Sequence, residues 1–183
     1  MRLYPAWIKN DEEFFSLPVL ERALQLAAAR VGERETRRNS SRWIDRFLAA
    51  VRLGPGFAWC ASFIYWTLIN SGFPAEDLPP ARSAAAVVEW VRWATRRGLL
   101  TIEPQRGDLM YWVNPNGRTG HIGWIVRVEE TRFGVRLHTI EGNTDDEGSR
   151  EGDGVYRRTR MLGGRIKVIS MTKLAASIER EAA

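Results

Sequence analysis

The feature that most limits what this chain can become is a change of hydrophobic period at Pro104. Before it, apolar residues recur at helical spacing; after it they gather in short runs between turn residues. Leu20, Leu24, Ala27, Ala28 and Val31 form one apolar helix face, opened at Ser16-Leu17-Pro18 and closed at Gly32. Trp43, Ile44, Phe47, Leu48 and Val51 form a second, with Ser40 or Ser41 as its cap. Gly54-Pro55-Gly56 breaks the pattern, and a further helix runs from Cys60 to near Ser71-Gly72. After a Pro-rich loop over 73–82, Ser83 is the expected cap of an amphipathic helix through Val87, Val88, Val91, Trp93 and Ala94, stopped by Gly98. The strands that follow are Leu109–Val113, His121–Val128, Val135–Glu141, Gly154–Arg160 and Arg165–Ser170, and Lys173–Glu181 reads as a terminal helix. Helices first and antiparallel strands second make an α+β fold, a single domain with N-terminal helices packed on one face of an antiparallel β-sheet. Residues 1–16 lack a clean period and read as an arm; residues 17–183 read as the domain itself.

Composition narrows the function. The chain has 183 residues, 44% of them hydrophobic, enough to bury a real core. Cys60 is the only cysteine, which excludes an intrachain disulfide framework and a multi-cysteine zinc site. No apolar stretch approaches a membrane span, and the opening residues carry no apolar leader segment, so synthesis in the cytoplasm without a signal peptide is expected. A net charge of +5 favours polyanions, of which nucleic acid, anionic lipid and anionic cell wall all qualify. The basic residues are scattered among acids, as in Glu33-Arg34-Glu35-Thr36-Arg37-Arg38, without a nucleic-acid-binding motif, so the charge reads as a general attraction and no nucleic-acid partner is expected.

Cys60 sits where chemistry is available. It opens a helix after the Gly54-Pro55-Gly56 turn, at the positive end of the helix dipole, among backbone N–H groups that have no helical partner. Such a position suits a nucleophilic thiolate and an oxyanion. A lone cysteine among aromatics also fits a small buried hydrophobe, so an independent signal is needed. Gly120-His121-Ile122-Gly123 supplies it: the histidine opens a strand, and Ile140-Glu141-Gly142-Asn143 ends the next one. In a hairpin the start of one strand lies beside the end of the next, so Glu141 and Asn143 both come within reach of His121. A polar group on one ring nitrogen orients the imidazole and leaves the other for Cys60. Residues two apart on a strand point to one side, so the choice between Glu141 and Asn143 stays open.

These motifs resemble the CHAP domains, cysteine- and histidine-dependent amidohydrolases and peptidases of papain-like fold. Trp59-Cys60-Ala61-x-Phe63, Gly107-Asp108, Gly120-His121-Ile122-Gly123 and Glu141-Gly142-Asn143 fall in the family's order, and Gly32-x-x-Glu35-x-x-x-Asn39 resembles a lysin-like branch. The resemblance implies a peptidoglycan hydrolase cutting an N-acetylmuramoyl-L-alanine amide or a peptide bond of the stem or cross-bridge, with no cofactor and no metal. It implies Cys60 as nucleophile, His121 as general base, Glu141 as the group orienting it, and Asn143 as a group that polarises the site or helps hold the histidine. Many papain-like enzymes place a glutamine before the cysteine as oxyanion donor; Trp59 stands there in this chain, so the second donor stays open. Trp59, Glu35 and Trp124 are the candidate substrate contacts, against plainer readings of core tryptophans and a solvated carboxylate. Asp145-Asp146-Glu147 with Glu151 and Asp153 lacks a calcium-loop spacing and reads as a polar loop; His138 has no motif around it. The implied partner is bacterial peptidoglycan, met after release as a phage-type endolysin or after delivery as an antibacterial effector with a delivery or immunity protein. A papain-like protease or deamidase toxin acting on protein, and a non-catalytic wall-binding module, are the competing readings.

Overall fold

The computed structural model describes residues 11–144 and 152–181. Within the N-terminal arm it places α1 (Asp11–Ser16), which packs on α2 (Val19–Ala28) and contributes Phe14 to the core. Pro18 stands immediately before α2, where its missing N–H is harmless. Ala23, Leu24, Leu26 and Ala27 are buried, but the helix ends at Ala28, so Val31 falls beyond it and is exposed rather than part of the face. Neither Ser40 nor Ser41 is the N-cap of α3 (Ile44–Ala50): Trp43 holds that position without a side-chain cap, and Ser41 Oγ accepts the Ile44 N–H at 3.3 Å from the turn ahead of it.

The centre of the molecule is α4 (Cys60–Ser71). Cys60 through Leu68 are all buried, because α2 and α3 cover one side of this helix and the sheet covers the other. A helix apolar all round belongs in a core. Gly72, at φ 90, closes it in the left-handed conformation that a residue without Cβ adopts freely. Ser83 does not cap the next helix: Ser83–Ala85 is a 3-10 turn, and α5 (Val87–Arg96) starts after Ala86 without a side-chain cap. The buried Trp90 indole N–H donates to Ala84 C=O at 2.9 Å and holds that turn in place of a serine.

The sheet comprises β1 (Leu100–Thr101), β2 (Leu109–Val113), β3 (Gly120–Thr131), β4 (Gly134–Thr144), β5 (Gly154–Met161) and β6 (Lys167–Ile169), in the order β1-β6-β2-β3-β4-β5 with every pairing antiparallel. β1 is two residues long, too short to leave a period in the sequence. Leu109, Tyr111, Ile122, Trp124 and Ile140 join the core under the helices, while their alternates Met110, Trp112, Ile125 and Leu137 form a smaller cluster on the opposite face. The last described element is α6 (Met171–Glu181). Asp108 ties this helix down: its carboxylate accepts hydrogen bonds from the Thr172 N–H (3.0 Å), the Thr172 hydroxyl (2.9 Å) and the Gln105 N–H (2.9 Å). Burial pushes the Asp108 carboxyl above its ordinary value, against the pull of those hydrogen bonds. The Gly107-Asp108 motif is therefore a joint between the first long strand and the last helix.

Candidate active site

Three elements converge at the N-terminal end of α4. Phe63 N–H donates to Trp59 C=O at 2.9 Å, the first turn of the helix, so the N–H groups of Cys60, Ala61 and Ser62 have no acceptor within it. Trp59 is held from both ends. Its backbone N–H donates to the Asn143 side-chain oxygen at 2.6 Å, and its indole N–H donates to Glu35 Oε1 at 3.0 Å. The other Glu35 oxygen accepts the Asn39 N–H at 2.7 Å, where Asn39 turns through a positive φ of 52. The carboxylate of the Gly32-x-x-Glu35-x-x-x-Asn39 motif thus locks the residue that precedes Cys60.

His121 is wholly buried and Cys60 is 7% exposed. The imidazole lies against Trp112, with ring centroids 4.6 Å apart and planes at 37°. His121 Nε2–H donates to Glu141 Oε2 at 2.9 Å. With Nε2 engaged, Nδ1 is the nitrogen left on the Cys60 side; it makes no hydrogen bond among the described residues, and the Cys60 side chain lies near enough to act on the ring electrostatically. Burial disfavours the charged ring, but the Cys60 and Glu141 side chains outweigh it and raise His121 to about 9. Burial likewise disfavours the Glu141 carboxylate, and hydrogen bonds from His121 and Arg160 overcome it, holding the group down at about 2. Arg160 forks onto Glu141 from β5, Nε to Oε1 at 2.9 Å and Nη2 to Oε2 at 2.6 Å, while the Thr139 hydroxyl donates to Oε1 at 2.5 Å.

Two motif glycines make this arrangement possible. A Cβ on Gly123 would sit 2.6 Å from Glu141 Cγ, and one on Gly142 would sit 2.6 Å from Trp59 Cζ3. Gly123 leaves the space through which Glu141 reaches the histidine, and Gly142 the space into which Trp59 packs.

The structure brings Cys60, His121 and Glu141 together. Asn143 takes a different place from the one its spacing implies. The ladder shifts between Gly142 and Thr144, and Asn143 lies in a bulge at φ 58, so the alternation breaks and its side chain turns to the Trp59 backbone and to Gly152 C=O (3.3 Å). Trp59 and Trp124, expected at the substrate, are both fully buried; Trp124 points under the helices and donates to Thr67 Oγ1 at 2.9 Å. Both side chains are part of the core rather than of the exposed surface. Glu35, with Arg38, Phe57, Ala58, Asn143 and Asp153, walls a groove of about 320 Å³ beside the residues leading into Cys60. His138 pairs with Glu129 at 2.7 Å away from this site. Asp145, Asp146, Glu147 and Glu151 lie outside the described residues. Arg160, Thr139 and Trp112 were not singled out from the sequence as site residues. The available signal was the half-buried alternation of Tyr156, Arg158 and Arg160 along β5, an unusual place for guanidinium groups without buried acceptors.

An α+β fold that sets a cysteine-bearing helix end against a histidine-bearing strand has the papain-like arrangement. A family model of the CHAP domain matches residues 52–143, about half of the chain, a span that holds Cys60, His121 and Glu141. The chain belongs to the CHAP domain family. Membership implies amidase or peptidase activity, with peptidoglycan as the substrate class. No curated protein matches the chain, and no solved structure matches it.

Proposed function

We propose that this protein is a peptidoglycan hydrolase that cleaves an amide bond by acyl transfer through Cys60, with His121 as its proton acceptor and donor and Glu141 as the orienting group. The observation that carries this reading is the position of His121, which has an arginine-clamped carboxylate on Nε2 and leaves Nδ1 unengaged near Cys60. Glu141 fixes the ring and favours its protonated form, so the proton shared with Cys60 is readily held on Nδ1. The sulfur attacks the amide carbon, forming a C–S bond, and the carbonyl electrons move onto oxygen. The Cys60 N–H, without an acceptor in its own helix, is placed to bind that oxyanion, a contribution of about 3 kcal/mol in sites of this kind. The intermediate then collapses: the C–N bond breaks, Nδ1–H protonates the departing amine, and a thioester remains. Water, losing its proton to Nδ1, attacks the thioester and restores the thiol. Asn143 and Glu35 position Trp59 and through it the nucleophile, and the groove beside Ala58 receives the peptide.

In this reading the protein is made in the cytoplasm and acts on the wall after release or delivery, as an endolysin or an antibacterial effector. Incubation with purified sacculi followed by mass spectrometry of the fragments tests it. New termini at muramoyl-alanine, stem or cross-bridge bonds are expected, and they name the bond. Intact sacculi across several wall chemistries, with new termini or deamidation in a protein extract instead, would move the activity to protein.

A further inference from the structure

The apolar side chains left on the surface are unevenly spread. Leu100, Ile102, Phe133 and Met161 are all exposed, and they gather around the turn between β5 and β6. That turn is tied to the β3–β4 hairpin. Leu162 N–H donates to Val135 C=O at 2.9 Å, and Met161 Cε lies 3.7 Å from where a Cβ on Gly134, the neighbour of Phe133, would stand. On its other side the turn faces the end of β1, where Leu100, Ile102, Tyr111, Leu162, Ile166 and Lys167 wall a cleft of about 640 Å³. β1 stops after Thr101, whose hydroxyl oxygen accepts the Glu103 N–H at 3.0 Å and turns the chain out. Ile102 is thereby carried off the sheet and is 87% exposed; Phe133, at the hairpin turn, is 73% exposed. Single exposed apolar residues are ordinary, but two loops and a cleft that share them form a surface fitted to a partner.

Basic groups border the apolar ones. The Arg132 guanidinium stacks on Phe133, 4.6 Å from the ring centroid. The last β1–β6 pair is Thr101 with Val168, so Lys167 is next in line beside Ile102. Arg165 lies in the β5–β6 turn itself, over the Trp112 ring. Arg132, Arg165 and Lys167 form no ion pair among the described residues. The acids at this end are Glu103, Glu129 and Glu130, and Glu129 is taken up by Arg127 at 3.2 Å and Arg136 at 3.5 Å. Charge alone suits any polyanion. A nucleic acid or an anionic wall polymer offers no apolar phase for Ile102 and Phe133, whereas a lipid layer with anionic headgroups offers both. We propose that this end of the molecule docks on an anionic lipid surface. Phe133 and Ile102 enter the acyl boundary, and Arg132, Arg165 and Lys167 meet the headgroups. No described helix is long and apolar enough to cross a bilayer, so the contact is peripheral. The surface does not include Cys60, His121 or Glu141, so it stands or falls apart from the hydrolase reading.

Co-sedimentation of the full chain with vesicles, at physiological ionic strength, tests the proposal. Vesicles of equal parts phosphatidylglycerol and phosphatidylcholine should bind it, and vesicles of phosphatidylcholine alone should bind it more weakly. Ile102→Ser and Phe133→Ser should each lower the partition coefficient by about tenfold, with unchanged circular dichroism, and Lys167→Gln by about fivefold. The control Phe57→Ser removes an aromatic that is 52% exposed beside the Cys60 groove, and it should partition as the parent does. The proposal is overturned by no binding to the mixed vesicles, by equal binding to the neutral ones, or by an equal loss in the control. It is also overturned if the chain ignores vesicles and instead forms a dimer in sedimentation velocity that Ile102→Ser abolishes, which would assign the surface to a second copy.

Discussion

Trp59 and Asn143 are joined by a 2.6 Å hydrogen bond from the backbone N–H of the first to the side-chain oxygen of the second. It ties the end of β4 to the residue that precedes Cys60, and it exists because Asn143 sits at φ 58, a conformation that asparagine tolerates better than most residues. Asn143→Ala leaves a buried N–H without its acceptor and a Cβ residue in a strained conformation. A loss of about 2 kcal/mol in denaturant unfolding is expected, with activity falling further than stability explains. Asn143→Asp keeps the acceptor and should retain more of both; equal losses in the two variants would contradict a role through that hydrogen bond.

The pH profile follows from the buried pair. His121 is raised from 6.5 to about 9, so the interactions that charge it stabilise the fold fully below about 6.5 and are lost as pH rises through about 9. Glu141 is lowered from 4.5 to about 2, so its share is present above about 4.5 and is lost as pH falls through about 2. In the proposed reaction the imidazolium is also the acid that protonates the leaving amine. The alkaline limb of kcat/KM is therefore expected near pH 9, and Glu141→Gln should move it down toward 6.5. A limb that does not move in the variant would show that Glu141 does not set the proton affinity of His121.

Arg160 acts at one remove, through Glu141. Its fork and the Thr139 hydroxyl hold the carboxylate ionised against burial. Arg160→Met leaves a buried charge with fewer partners and is expected to cost about 3 kcal/mol of stability. Arg160→Lys retains the charge without the fork; it should fold, with lower kcat and an alkaline limb shifted below the parent's. Parental kcat and pH profile in Arg160→Lys would reduce the arginine to a packing role.

Gly123→Ala puts a methyl group 2.6 Å from Glu141 Cγ and 2.9 Å from Met110 Cε. The Glu141 side chain must shift to make room. Activity should fall by about tenfold or more while the chain still folds, because near-attack geometry is sensitive to displacements of this size. Parental activity in a folded Gly123→Ala variant would contradict the tight approach of β3 and β4 at this point.

Local pattern made much of this molecule legible. The run Leu109–Val113 coincides with β2, and the helix opened by Cys60 ends at Ser71 before Gly72, because each depends on neighbours in the chain. Cys60, on α4, was joined to His121 and Glu141 by the order of the family motifs, whereas His121 and Glu141 were readable as neighbours because a hairpin converts sequence order into proximity. The distinction between Glu141 and Asn143 was not, since a one-residue bulge reverses the side to which every later side chain points. Arg160 was hidden for a related reason: its partner lies 19 residues away, across a ladder whose register no local motif records. Trp59 and Trp124 show the opposite case, where an aromatic next to a reactive residue suggested contact with substrate while its burial belonged to the core.

The most direct measurement is the rate at which iodoacetamide alkylates Cys60 at neutral pH in the parent and in His121→Ala. Rapid alkylation of the parent, slowed by about a hundredfold in the variant, is the result expected of a thiol activated by that imidazole. A cysteine equally inert in both proteins, or equally reactive in both, would contradict the pairing on which the proposed chemistry rests.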